Sequence, residues 1–228
     1  MTPETPRSIA GPVDFEQVIR KSRFLAHLEP VTSIELADAA IAATRKRHPD
    51  ARHHCVALII GASANQQRSS DAGEPAGTAG VPMLEVLRRR NMTDVVAIVT
   101  RYFGGVLLGA GGLARAYSSS VAQALDLATL VLRVPRLPVI VDAPLSGAGR
   151  IEHLVRVWAN STGAIIEAVE YGASAKFALL VAPDALPSLR AELASAGAPE
   201  PLTGQARIVD VPVSTAASHS FQREPKVP

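Results

Sequence analysis

Glycine is concentrated in one part of this chain and constrains its fold more than any other feature. Half of the 16 glycines lie between Gly73 and Gly112, in two segments that read SDAGEPAGTAG and TRYFGGVLLGAGGLARAY. The second segment follows the apolar run DVVAIV, and its last part has apolar residues at helical spacing. The pattern predicts a buried strand, a glycine-rich turn and a helix that begins near Gly112.

The strand–turn–helix segment is a candidate anion site. Glycines let backbone N–H groups approach a ligand, and the free amides at a helix N-terminus attract negative charge. Arg101 and Arg115 flank the turn and could contact a phosphate. The segment contains neither a Walker A loop nor GxGxxG. The alternative is that the glycines only allow tight packing of a helix on a sheet.

The first glycine-rich segment carries two carboxylates. Asp71 and Glu74 are close enough to share a proton or a cation, as acid–base pairs do. A structural role is the favoured alternative, because Asp and Pro are typical turn residues. In that case Thr78 would cap the helix that follows, and Glu74 would pair with Arg101 or Arg115.

The segment HPDARHHC offers metal-ligand residue types without a metal-site pattern. His53 and His54 are adjacent in a predicted strand, so their side chains point to opposite faces. No HExxH or CxxC motif occurs in the sequence. We therefore expect no metal and no cofactor, and we expect Cys55 to be an unreactive thiol in a buried strand.

The order of the predicted elements indicates an α+β protein of two domains. Strands and helices alternate over residues 12–134, where ASANQQRSSD is expected to be a polar loop. Two prolines mark a junction, and residues 137–213 follow the order β-α-β-β-α-β of a ferredoxin-like sandwich. Residues 1–11 and 214–228 are expected to be flexible.

Composition indicates a globular protein of the cytoplasm. The net charge is +2, with 15 Lys/Arg and 12 Asp/Glu in residues 1–134 (+3), against 8 and 9 in the rest (−1). This asymmetry weakly favours an anionic partner for the first half. A single cysteine fits a reducing compartment, and the sequence contains no apolar run of membrane-spanning length. The N-terminal residues also lack an apolar run of signal-peptide length, so we expect no signal peptide.

Four segments resemble the signature segments of the YigZ/IMPACT family. They are KSRF at 21–24, DARHHCVA at 50–57, SDAGEPAGTAGVPML at 70–84 and VTRYFGGVLLGAGGLARAY at 99–117. The resemblance implies a first domain with the fold shared by the fourth domain of elongation factor G and the GHMP kinases. It also implies a second domain similar to that factor's fifth domain. Eukaryotic members restrain an amino-acid-starvation kinase by competing for its activator.

The family's motif residues map onto eleven positions of this chain, without an established role for each. Those expected to contact an anion or RNA are Lys21, Arg23, Arg101, Gly104, Gly105, Gly112 and Arg115. Those expected to shape the cleft are His54, Asp71, Glu74 and Thr78.

Three functions are compatible with the sequence. The first is a non-enzymatic regulator of translation whose groove of Lys21, Arg23, Arg101 and Arg115 contacts RNA or the ribosome. The aromatic content of 4% argues against base stacking in such a groove. The second is a phosphotransferase or hydrolase of an anionic small molecule that uses Asp71 and Glu74 as acid and base. The third is a regulator that docks on a protein partner through its second domain.

Overall fold

The protein consists of two compact units. The computed structural model describes residues 5–213. The first unit extends through Arg133 and also includes the C-terminal segment from Asp210, and the second comprises Val134–Val209. Both units combine helices with β-sheet, as the sequence predicts. No helix in residues 5–213 has the length and hydropathy of a membrane span.

The first unit contains six strands and three helices before residue 130. Their bounds are β1 Arg7–Ile9, β2 Val13–Ile19, β3 Ser22–Pro30, α1 Ile34–Arg47, β4 His53–Ile60, β5 Gln66–Ser70, α2 Gly80–Arg89, β6 Val95–Tyr102 and α3 Gly109–Leu127.

An antiparallel five-stranded sheet forms the centre of the first unit. Its strand order is β2-β3-β6-β4-β5. Helices α2 and α3 pack on one face through residues such as Met83 and Tyr117, and α1 packs on the other through Ala37 and Ile41. The middle strands β4 and β6 are buried on both faces, which confirms the expectation from their nearly continuous apolar runs.

The second unit has its own sheet and core. Its elements are most of β7 (Leu130–Ala143), α4 Ala148–Thr162, β8 Ile165–Tyr171, β9 Ala175–Val181, α5 Leu186–Ser195, β10 Leu202–Thr203 and the first part of β11 (Arg207–Pro212). Strands β7, β9 and β8 are neighbours in that order, and β10 and β11 also pair with β7. The core lies between this sheet and the helices, around Trp158, Phe177 and Leu189.

Two segments expected to lack regular structure are strands. Residues 7–9, within the segment predicted to be flexible, form β1, which pairs with Leu130–Leu132 and buries Ile9. Residues 66–70, within the predicted polar loop, form β5 at the edge of the sheet, where polar side chains remain exposed. Polar composition alone therefore did not identify an edge strand. The predicted flexible tail, 214–228, lies outside the described residues.

The β2–β3 turn and the loop after β6 meet at Gly104. Arg20 and Lys21, in the turn, both have positive φ angles (47° and 68°). A Cβ atom on Gly104 would lie 2.0 Å from the Lys21 carbonyl carbon, and its N–H donates to Ser22 Oγ at 3.1 Å. Only glycine allows this approach of two backbones.

The substitution Gly104→Ala is expected to destabilise the first unit by about 1–3 kcal/mol, because the β2–β3 turn must move to accept the methyl group. Hydrogen exchange of the β6 amides measures the free energy of unfolding of this unit. The control is Gly111→Ala, because a Cβ atom on Gly111 would meet no atom within 4 Å. Alanine there should cost nothing, or stabilise α3 by up to about 1 kcal/mol. Equal stability of the two variants would contradict the packing argument.

Candidate functional site

A cleft opens in the first unit where β4 begins and β6 ends. Its volume is about 400 Å3, and its walls include Arg52, His53, Pro75, Arg101 and Leu107 together with the first residues of α3. A second cavity of about 300 Å3 shares Arg52, His53 and Arg101 with it. We call the 400 Å3 cavity the loop-end cleft, after the loop 103–108 that forms one side.

A buried ion pair forms the floor of the loop-end cleft. Arg101 Nη1 donates to Glu74 Oε1 at 2.7 Å, and the Tyr117 hydroxyl donates to the same oxygen at 2.7 Å. Arg101 Nη2 lies 3.4 Å from Ser22 Oγ, and all four residues are buried. The sequence left either Arg101 or Arg115 as the partner of Glu74, and in the structure the partner is Arg101. The pair and its two hydrogen-bonding partners bring together four segments that are distant in sequence.

The Arg101 guanidinium also packs between two aromatic rings. It lies 5.4 Å from the centroid of Phe24 and 5.6 Å from that of Phe103. Phe24 in turn meets Tyr117 edge to face, with 5.3 Å between the ring centroids. These contacts fix the orientation of the guanidinium beyond what the ion pair alone would do.

Asp71 caps helix α2. Its carboxylate accepts hydrogen bonds from the backbone N–H groups of Gly77, Ala79 and Gly80 at 2.8–3.0 Å. Burial acts to raise the pKa of the Asp71 carboxyl, but the three N–H donors outweigh it and hold that pKa below its usual value. Thr78, the predicted cap, instead donates from Oγ1 to the Pro75 carbonyl. The cap prediction for Thr78 was wrong, because Ala79 occupies the N-cap position and the Asp71 carboxylate accepts from the amides of Ala79 and Gly80.

Helix α3 has no comparable cap. Leu108 occupies its N-cap position, no side chain within residues 5–213 caps its first amides, and its first turn contains no acidic residue. Gly109 and Ala110, at its start, line the loop-end cleft. The first amides of a helix carry partial positive charge, so this end of α3 can accept an anion from outside.

The predicted groove of four basic residues is not one groove. Directly opposed residues in a sheet share a face. Phe24 opposes Arg101, whereas Arg23 opposes Tyr102, so Arg23 and Arg101 lie on opposite faces. Arg23 is ion-paired with Glu16 at 2.7 Å and packs over the Tyr102 ring.

Lys21 and Arg115 are both exposed, Lys21 in the β2–β3 turn and Arg115 on α3. The glycines of the loop serve its packing and turns. Gly105 has a φ of +82°, and a Cβ on Gly112 would lie 3.0 Å from the Leu108 Cβ. These close approaches are to the β2–β3 turn for Gly104 and to the N-cap residue of α3 for Gly112, so neither is the packing of a helix on a sheet that the sequence left open.

His53 and His54 lie on opposite faces of the sheet, and Cys55 shares the face of His53. His53 opposes Arg101 and borders the loop-end cleft, whereas His54 opposes Thr100 on the other face, where the two side chains are 3.0 Å apart. Burial, followed by the charges of Arg45 and His48, lowers the pKa of His54. No group of three His, Cys, Asp or Glu in residues 5–213 is placed to hold a metal ion.

Cys55 is buried, and its thiol donates to the Asp71 carbonyl at 3.0 Å. Burial raises the pKa of this thiol to about 12. At neutral pH the thiolate is therefore almost absent, so the side chain is unsuited to act as a nucleophile.

Sequence reasoning identified Glu74 and Arg101 in the cleft walls and missed other wall residues, among them Arg52, Phe103 and Leu107. Arg52 directly precedes the histidine pair, and Phe103 begins the Phe-Gly-Gly sequence that follows β6. Sequence reasoning gave Tyr117 no part in the site, although its hydroxyl completes the Glu74 network.

These features define a class of protein: a two-unit α/β chain whose first unit carries a glycine-rich loop, a buried Glu–Arg pair and an open cleft. Comparison with known proteins gives the family. The Impact N-terminal domain model matches residues 20–125. An IMPACT family member of Thermus thermophilus is 41% identical over 139 residues, which cover 61% of this chain and 74% of that protein. The chain belongs to the IMPACT family.

Two further relatives are similar over the first part of the chain. The IMPACT family member YvyE of Bacillus subtilis (strain 168) is 46% identical over 63% of this chain and 66% of its own length. The member YigZ of Escherichia coli (strain K12) is 47% identical over 55% and 63%. The matched segments span just under two thirds of these two relatives. A crystal structure of a hypothetical protein is 34% identical, with a TM-score of 0.58 over 91% of this chain and 98% of that one.

The Asp71 cap makes the stability of the first unit depend on pH. Because the folded pKa lies below the unfolded value of about 3.9, the contribution is complete above that value and lost as the pH falls through the folded pKa. We expect the stability difference between wild type and Asp71→Ala, about 0.5–2 kcal/mol at pH 7, to shrink below about pH 4. Urea unfolding followed by circular dichroism at several pH values measures it. A difference that stays constant down to pH 2 would exclude an ionised cap.

Proposed function

We propose that the protein is a non-enzymatic, translation-associated binding protein that holds RNA phosphate in the loop-end cleft. The observation that carries the proposal is the uncapped N-terminus of α3 in a cleft whose walls include Arg52 and Arg101. Membership of the IMPACT family supports the link to translation. A cytoplasmic location belongs to the same proposal and fits the lone buried cysteine.

The charges of the cleft favour an anion of modest charge. Glu74 neutralises Arg101, so the net positive charge of the walls comes from Arg52 and from the partial charge of the α3 amides. Lys21 and Arg115 are exposed on the same unit and add to its attraction for a polyanion. Such contacts release counterions, so RNA binding should weaken as salt increases.

The enzyme alternative finds less support in the geometry. The Asp71 carboxylate accepts from three backbone N–H groups in and just before α2, and the lowered pKa of that carboxyl makes it a weak base. Glu74 is buried in an ion pair with Arg101. An acid–base catalyst must reach a substrate proton, and these contacts make both carboxylates structural.

For the second unit we propose the ferredoxin-like class. The support is the element order β-α-β-β-α-β, from β7 to β11 with the two-residue strand β10 inserted before β11, and the pairing of β7 with both β9 and β11. The likeness of the two units to the fourth and fifth domains of elongation factor G is part of the same proposal. A protein partner that docks on the second unit is the competing reading.

Co-sedimentation with ribosomes over a salt series tests the proposal. The wild type is expected to bind at low salt and dissociate as salt rises, and Arg52→Ala/Arg115→Ala should bind more weakly with a logarithmic salt slope smaller by about 2. Arg101 is unsuitable because its loss would leave Glu74 buried and unpaired.

The matched control is Arg190→Ala/Arg207→Ala, which removes two exposed arginines from the second unit. It should behave as the wild type does. A larger effect of the control substitutions than of Arg52→Ala/Arg115→Ala would assign the contact to the second unit. Absence of binding at low salt would refute the proposal.

A further inference from the structure

Phe103 presents an aromatic ring at the mouth of the loop-end cleft. The residue is 56% exposed, although aromatic side chains are usually buried. Its ring is backed by the Arg101 guanidinium, 5.6 Å from the centroid, and this buried cation is itself held by Glu74. One side of the ring is therefore fixed by a rigid support, while much of its surface remains open to a ligand.

The remaining walls of the cleft are largely apolar. Leu107 is 82% exposed, and Leu108, Leu113 and Pro75 also line the cavity. A cavity of about 400 Å3 falls in the range of roughly 300–1,000 Å3 that is typical of small-ligand sites. Simple phosphate would fill a small part of this space and would leave the apolar wall in water.

The polar side of the cleft is not fully satisfied by the protein. In the part of the chain that the structure describes, the first amides of α3 have no side-chain cap. Arg101 is only 6% exposed, and its Nε is a buried donor without a hydrogen-bond partner among the described residues. A buried donor without a partner is costly, so an acceptor supplied by a ligand would be favourable. The first amides of α3 and the Nε of Arg101 would therefore each favour an anionic oxygen beside the apolar, aromatic wall.

We propose that the loop-end cleft holds one nucleotide, with its phosphate at the N-terminus of α3 and Arg52 and with its base stacked on Phe103. This inference rests on the proposed function, and it adds the base as a second recognised group. A single strand can present an unstacked base to such a site, and stacking on an aromatic ring tolerates any base. The low aromatic content of the chain does not oppose this, because one correctly placed ring is sufficient for one base.

A thermodynamic cycle between the ring and the bases tests the stacking. The ligands are a fluorescent tetraribonucleotide with a 5′-phosphate and its fully abasic counterpart, and anisotropy measures their affinity. Phe103→Leu should weaken binding of the intact strand about tenfold and leave binding of the abasic strand unchanged. Phe103→Tyr, which keeps the ring, should restore wild-type affinity. The control is Tyr171→Leu, a 58% exposed aromatic residue of the second unit, which should change neither affinity.

The same titrations separate this inference from the proposed function. If the wild type binds both strands with equal, salt-dependent affinity and Phe103→Leu has no effect, the phosphate site stands and the base site is refuted. If neither strand binds at low salt, and ribosomes do not bind either, both the proposed function and the base site are refuted. If both strands lose affinity equally in Phe103→Leu, the ring supports the loop rather than a base, and the inference is again refuted.

Competition distinguishes the source of the nucleotide. A nucleoside 5′-monophosphate and ribose 5-phosphate are each added to the protein bound to the intact tetranucleotide. Displacement by millimolar monophosphate, but not by the sugar phosphate, indicates that the site accepts a free nucleotide as well as one in a strand. Displacement by neither at that concentration assigns the site to a strand, where neighbouring phosphates add affinity. Equal displacement by both would show that the base contributes nothing and would overturn the inference.

Discussion

The buried pair of Glu74 and Arg101 is the interaction on which the candidate site depends. Both side chains are removed from water, which is costly unless geometry and further hydrogen bonds compensate. Tyr117 and Ser22 supply those bonds from α3 and β3, and the rings of Phe24 and Phe103 enclose the guanidinium. The pair therefore ties the segment before α2 to the end of β6 and sets the floor of the cleft.

The helices that follow the two glycine-rich segments differ in how their N-termini are capped. The N-terminus of α2 is neutralised internally, because Asp71 accepts from three of the amides around it. Within residues 5–213, no side chain caps the N-terminus of α3, whose first residues line the cleft. Asp71 thus stabilises the start of α2, whereas the first turn of α3 contains no acidic residue.

Sequence patterns predicted the regular elements well where burial decided them. The apolar runs of β4 and β6 and the helical spacing in α3 gave the middle of the sheet and its covering helix, and the motifs gave the family. Patterns failed where the partner is distant in sequence. Neither the cap of α2 by Asp71 nor the separation of Arg23 from Arg101 can be read without the strand register. Likewise, Phe103 belongs to the cleft only because the loop after β6 leaves the sheet there.

The most direct test of this account is a double-mutant cycle on Glu74 and Arg101, with hydrogen exchange of the β6 amides as the measure of unfolding free energy. Glu74→Gln and Arg101→Met should each destabilise the first unit by about 3–5 kcal/mol, because each leaves a buried group without its partner. The double variant should lose clearly less than the sum, since it buries no unpaired charge. Additive losses, or a Glu74→Gln variant as stable as the wild type, would contradict the claim that these motif residues build the cleft.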